Sequence, residues 1–351
     1  MRSGLRLLAW PTIAVAVLFL AGAHTVYAHE GIEAGQNPWT AWNPNPLPTL
    51  FLLVAAYLYV TGLGRWERPS HPVNLWQRAS FFAGLLAVFL ALQSPLDALS
   101  QHMLSFHQIQ HFLLRMVAPL LVLLGAPMTP MLRGMPPWAL MGVVKPVVRN
   151  RLARWAYDRI TNPVLTTFLF LSILAFWQVP GPHNLALRNT LVHEFMHVTM
   201  LGSGLLFYWL VVDPKPHHSR LHYGLRVLYL GLIIIPNTFL GAAITFARSL
   251  LYSGYAEVEQ PFSISLMTDQ QLGGMLLWVP GDMMSILAAG VVMVMWYERE
   301  EGGARQAPGP RQLPGSKSSQ GQSFLLTLDS AERSMYPRPA YGKGVASKPS
   351  F

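Results

Sequence analysis

Cysteine is absent from all 351 residues. That excludes disulfides, thiolate metal sites, iron–sulfur clusters and thiol redox chemistry. Charge is scarce as well: Asp, Glu, Lys and Arg make up 12% of the chain, about half of the roughly 25% usual in a soluble domain. Together with 52% hydrophobic residues and a mean hydropathy of +0.33, this excludes a disordered protein and argues against an ordinary soluble enzyme. Acidic residues are the rarer sign, 16 against 25 Lys and Arg, for a net charge of +9. In so apolar a chain the excess points to an anionic membrane face rather than to nucleic acid.

What the chain has instead is long apolar runs. The first follows Arg2 and Arg6, extends from Leu7 to Ala23, and leads to Val26-Tyr27-Ala28, with small residues at −3 and −1 of a cleavage site. Residues 1–28 therefore read as a secretory signal peptide. Residues 29–47, rich in Pro, Asn and Trp, read as an extracytoplasmic arm with Trp39 and Trp42 at the headgroup level. Stretches long enough to cross a bilayer, about 17–25 residues, recur near 48–64, 79–96, 103–125, 163–182, 189–212, 224–249 and 271–297. The expected fold is an all-α, polytopic helix bundle with seven spans over 48–298. The fourth span is the marginal one, cut short by Pro180-Gly181-Pro182.

Basic residues accumulate in alternate loops. One set carries Arg65, Arg68 and Arg78, then Arg133 to Arg159, then Lys215, Arg220 and Arg226, then Arg299 onward; the other offers only Arg188 and Arg248. The positive-inside rule puts the arm outside and the C-terminus in the cytoplasm. Residues 137–160 space Met141, Val144, Val148, Leu152 and Trp155 as one face of a helix lying on the inner membrane surface. Residues 299–351, rich in Gly, Pro, Ser and Gln, read as a disordered cytoplasmic tail.

Histidine carries the chemical signal. His107-x-x-x-His111 and His193-x-x-x-His197 each put two imidazoles on one helix face. Both pairs lie within the first turns of spans entering from outside, in one layer ~6–15 Å deep at ~1.5 Å per residue. Met103 stands one turn before His107 on the same stripe, and Met196 and Met200 flank His197. Imidazole with thioether fits copper, above all Cu(I), in a site open to the outside. His102 and His183 read as solvated loop residues. Arg115, one turn deeper than His111, reads as a buried cation paired with Asp282, or as a partner for haem propionates. Two other chemistries stay open. His193-Glu194-Phe195-Met196-His197 matches the H-E-x-x-H pattern of zinc peptidases, without the metzincin extension. The two helices would also suit a bis-His b-type haem, with Gly202 and Gly204 facing the ring.

Three segments resemble a known family, the caa3-type cytochrome c oxidase assembly factors (CtaG-like membrane proteins): HMLSFHQIQHFLLRMVAPLLVLLGAP at 102–127, NTLVHEFMHVTMLGSGLLFYWLVVDP at 189–214, and DQQLGGMLLWVPGD at 269–282. The resemblance spans about residues 45–298. It implies a non-enzymatic protein of the bacterial cytoplasmic membrane that helps haem–copper oxidase reach its active form, with oxidase subunits as partners and copper supply as its contribution. By position the family's histidines correspond to His107, His111, His193 and His197, and its acidic-amide motif to Asp269-Gln270-Gln271. On local grounds Asp269 reads as the N-cap of the last span. Asp282 after the WVPG turn departs from the family pattern.

Overall fold

The computed structural model describes residues 32, 36–42, 44–66, 72–212 and 221–305, and these are all-helical, with no strand among them. The signal segment, most of the polar tail, and His29, His71, His217 and His218 lie outside the described residues. Helix α1 is Pro46–Gly64 and α2 is Leu75–Gln93, followed by the short α3, Pro95–His102. Helix α4 runs Leu104–Leu124, with a π-helical turn at Leu113–Val117, and α5 is Met128–Gly134. After a broken helical segment at 137–149 come α6 (Arg151–Ile160), α7 (Pro163–Gln178), α8 (Pro180–Arg188), α9 (Thr190–Val212), α10 (Tyr223–Thr245) and α11 (Leu266–Arg305).

Six of the described helices (α1, α2, α4, α9, α10 and α11) are long and apolar enough to cross a membrane. The expected fourth span is realised as α6 and α7, bent by 68° at a short break, and makes a seventh crossing only if the pair is taken as one. The break has a local cause. Asn162 accepts from the amides of Val164 and Leu165, capping α7 afresh, with Pro163 at its first position. Residues 137–160 are not one surface helix but several pieces. Val144 and Val148 pack on Leu132 and Leu140, while Leu152 and Trp155 remain exposed.

Two apolar clusters fix the bundle. One joins Met116, Leu120, Phe170, Phe207, Tyr208 and Ile233 with Val292 in the middle of the spans. The other, towards the histidine end, joins Leu104, Leu174, Trp177, Met196 and Met200 with Tyr252 and Tyr255. Trp177 Nε1 donates to Thr199 Oγ1 at 3.0 Å, and the side-chain amides of Gln108 and Gln178 exchange two hydrogen bonds of 2.9 and 3.0 Å. Such interhelical polar contacts pin α7 against α9 and α4 where hydrophobic driving force alone does not choose a rotation.

Candidate metal centre

Helices α4 and α9 each present two histidines near the same end of the bundle, and the structure brings all four rings together. Ring centroids are 4.4 Å apart for His107 and His111, 4.3 Å for His193 and His197, 5.3 Å for His107 and His193, and 6.0 Å for His111 and His197. One nitrogen from each of His107, His111 and His197 lies within 4.8 Å of the others. An imidazole nitrogen sits about 2 Å from a bound d-block ion, so nitrogens sharing one ion stand at most about 4 Å apart. A small rotation of rings therefore suffices for three-nitrogen ligation, with His193 beside the trio.

The close approach depends on Gly204. A Cβ there would stand 2.3 Å from the Arg115 carbonyl oxygen and 2.8 Å from Pro119 Cγ, so only glycine lets α9 lie this near α4. Helix α4 is held from a third direction. Asp269 of α11 accepts from Leu104 N at 2.7 Å, Ser105 N at 3.1 Å and Ser105 Oγ at 2.5 Å. Asp269 therefore caps the histidine helix, not its own; Ser265, which accepts from Thr268 N, caps α11. The neighbouring Gln270 accepts from Leu251 N at 2.6 Å and donates to Ser249 O at 3.1 Å, tying down the loop between α10 and α11.

That loop and α8 together contribute what the sequence reading missed. His183, expected in solvent, is fully buried on α8, with its ring 4.7 Å from that of His107. Its Nδ1 lies 3.1 Å from the Trp177 carbonyl and its Nε2 lies 3.0 Å from the Tyr255 hydroxyl. The same hydroxyl lies 3.0 Å from His107 Nδ1, which is also 3.2 Å from the Ser100 carbonyl. Carbonyls only accept, so the tautomers follow. His183 Nδ1–H donates to Trp177, Tyr255 O–H donates to His183 Nε2, and His107 Nδ1–H donates to Tyr255 and Ser100. His107 Nε2 is then a lone pair aimed into the cluster, 3.0 Å from His111 Nε2. Burial pushes the His183 imidazole down to about 4 and the Tyr255 phenol well above its ordinary value, so one is neutral and the other keeps its proton at physiological pH. An orienting chain of this kind is what metal-binding histidines characteristically carry.

Other expectations change. The site is closed, not open: none of the five rings is more than 4% exposed. His102 is also buried, its Nε2 accepting from Ile32 N at 2.9 Å and its Nδ1 lying 2.7 Å from the Glu259 carbonyl. Met103 is not on a continuous helical stripe. It takes an extended conformation between α3 and α4 and lines an apolar cavity with Phe106, Ile109 and Met275. Met196 and Met200 are buried in the apolar cluster with Trp177 and Tyr255. Arg115 does not meet Asp282, whose carboxylate accepts from Asn237 Nδ2 at 2.9 Å and Thr238 Oγ1 at 2.6 Å. Glu194 accepts from Asn45 Nδ2 at 3.1 Å and contributes no atom to the ligand group. The rings touch one another and Gly204 is filled by the α9–α4 contact, which leaves the haem and peptidase readings without support.

The family model for the cytochrome c oxidase caa3 assembly factor (Caa3_CtaG) matches residues 57–299, from α1 into α11. The chain belongs to that family. All five clustered histidines, Asp269 and Tyr255 fall within the Caa3_CtaG match. The chain is similar to an uncharacterized protein of Mycobacterium leprae (strain TN), 25% identical over 280 residues, which cover 77% of this chain and 42% of that protein. Uncharacterized proteins of Mycobacterium bovis and Mycobacterium tuberculosis are each 28% identical over 298 residues, or 80% of this chain and 44% of theirs. The Caa3_CtaG chain thus spans less than half the length of these curated relatives. No solved structure matches.

Proposed function

We propose that this Caa3_CtaG protein binds Cu(I) through His107, His111, His193 and His197 and passes it to a cytochrome c oxidase subunit during assembly, acting as a carrier and not as an enzyme. The observation that supports this reading is the convergence of buried imidazole nitrogens from two spans with no carboxylate in the ligand group. Neutral nitrogen donors suit a soft monovalent ion better than calcium or magnesium. Met196 and Met200, in the apolar cluster at the histidine end, and Met103, at the start of α4, are the candidate softer helpers. Basic residues at the opposite helix ends support a site on the extracytoplasmic side of a bacterial cytoplasmic membrane, with the arm outside and the tail inside. Delivery proceeds by ligand exchange.

The test is complementation of a deletion strain with wild type or His107→Ala/His193→Ala. The variant is expected to leave oxidase activity several-fold low in copper-limited medium, with recovery when copper is added. Normal oxidase activity of the variant under copper limitation contradicts the reading.

A further inference from the structure

Arg115 lies four residues beyond His111 on α4, within the π-helical turn Leu113–Val117, and is 4% exposed. Its guanidinium stacks over the Phe170 ring at 3.5 Å, Nη2 donates to the Phe170 carbonyl at 3.2 Å, and Nη1 reaches only Met116 Sδ at 3.9 Å. Nε has no hydrogen-bond partner, and no acid pairs with this cation among the described residues. The buried acids at this end are engaged elsewhere: Asp269 by the amides and hydroxyl of Leu104 and Ser105, Asp97 by Gln110 at 2.8 Å. A positive charge inside a span is costly and tends to mark function. Here it lies one helical turn beyond His111, with no paired acid among the described residues.

We infer that Arg115 sets the valence of the ion the histidine site accepts, favouring a monovalent over a divalent cation. The inference rests on the metal-site reading above and adds a selectivity residue to it. The physics is direct. Repulsion between a fixed charge and a bound ion grows in proportion to the ion's charge, and it is strong where water is excluded. Whatever factor Arg115 costs a monovalent ion in affinity, it costs a divalent ion the square of that factor. A site of neutral nitrogens would otherwise favour divalent zinc or copper as readily as Cu(I), following ordinary affinity order. The aromatic stack and the backbone carbonyl hold the guanidinium in place without neutralising it.

The experiment uses the full chain in lipid nanodiscs, with Cu(I) under anaerobic reducing conditions and Zn(II), each titrated against a chelator of known affinity. Arg115→Met removes the charge while keeping an unbranched, adaptable apolar side chain. It is expected to tighten Cu(I) roughly tenfold and Zn(II) roughly a hundredfold, the order of magnitude of charge–ion repulsion across about 10 Å at a moderate interior dielectric. Arg115→Lys retains the charge and is expected to keep the wild-type ratio within about twofold. Equal gains for both ions in Arg115→Met, or no gain in either, overturn the valence role and leave the metal site standing. Wild-type protein that retains neither ion overturns the site itself, and the valence role with it.

Discussion

Replacing Asp269 by alanine is expected to cost about 3 kcal/mol of stability and to weaken Cu(I) binding by at least tenfold. The carboxylate receives three hydrogen bonds at the start of α4, from Leu104 N, Ser105 N and Ser105 Oγ, all in a buried setting. Alanine leaves those donors unsatisfied, at roughly 1–3 kcal/mol for each buried group, less what water entering the gap recovers. It also removes a negative charge from a helix N-terminus, where the dipole favours one. Because α4 begins at this cap, its loosening reaches His107 within one turn. Asp269→Asn, which keeps an acceptor but loses the charge, should fall between wild type and alanine. Thermal unfolding and copper titration of the three proteins check this. Equal stability in all three would mean that α11 does not anchor the histidine helix.

The second large effect is expected at Gly204. Valine there places carbon atoms inside the van der Waals radius of the Arg115 carbonyl, so α9 must retreat from α4 by more than 1 Å, an overpacking that costs ~1–3 kcal/mol or more. The retreat separates His193 and His197 from His107 and His111, and Cu(I) affinity should fall at least tenfold even where the protein folds. Gly202 provides the control. A Cβ at that position meets nothing within 4 Å, so Gly202→Val, equal in helix propensity, should bind copper like wild type. The pair separates a packing effect from a general intolerance of valine in α9.

Much of this architecture was legible in the amino-acid order, and the reasons for the rest are local. Apolar run length located the spans because a bilayer demands it. Four-residue spacing located both histidine pairs because the helical period puts such residues on one face. Met103 was misplaced by the same reasoning, since the stripe assumed a helix continuous through residue 103 while the backbone is extended there. His183 carried no periodic signal. Its burial depends on Pro180 starting a fresh short helix after the extended Val179, and on a tyrosine 72 residues away. Asp269 looked like a cap and is one, but for a helix 164 residues earlier, a pairing that no local rule reveals. Arg115 and Asp282 were paired on charge alone, yet each found neutral partners on a different neighbouring helix.

The central claim, that imidazoles of α4 and α9 share one ion, is tested most directly by copper K-edge X-ray absorption on the Cu(I)-loaded full-length protein. The account predicts one equivalent of copper with three or four imidazole nitrogens at about 2 Å and loss of that signature in His107→Ala/His197→Ala. Copper ligated mainly by sulfur or by non-imidazole oxygen, or a spectrum unchanged in the double variant, would contradict it.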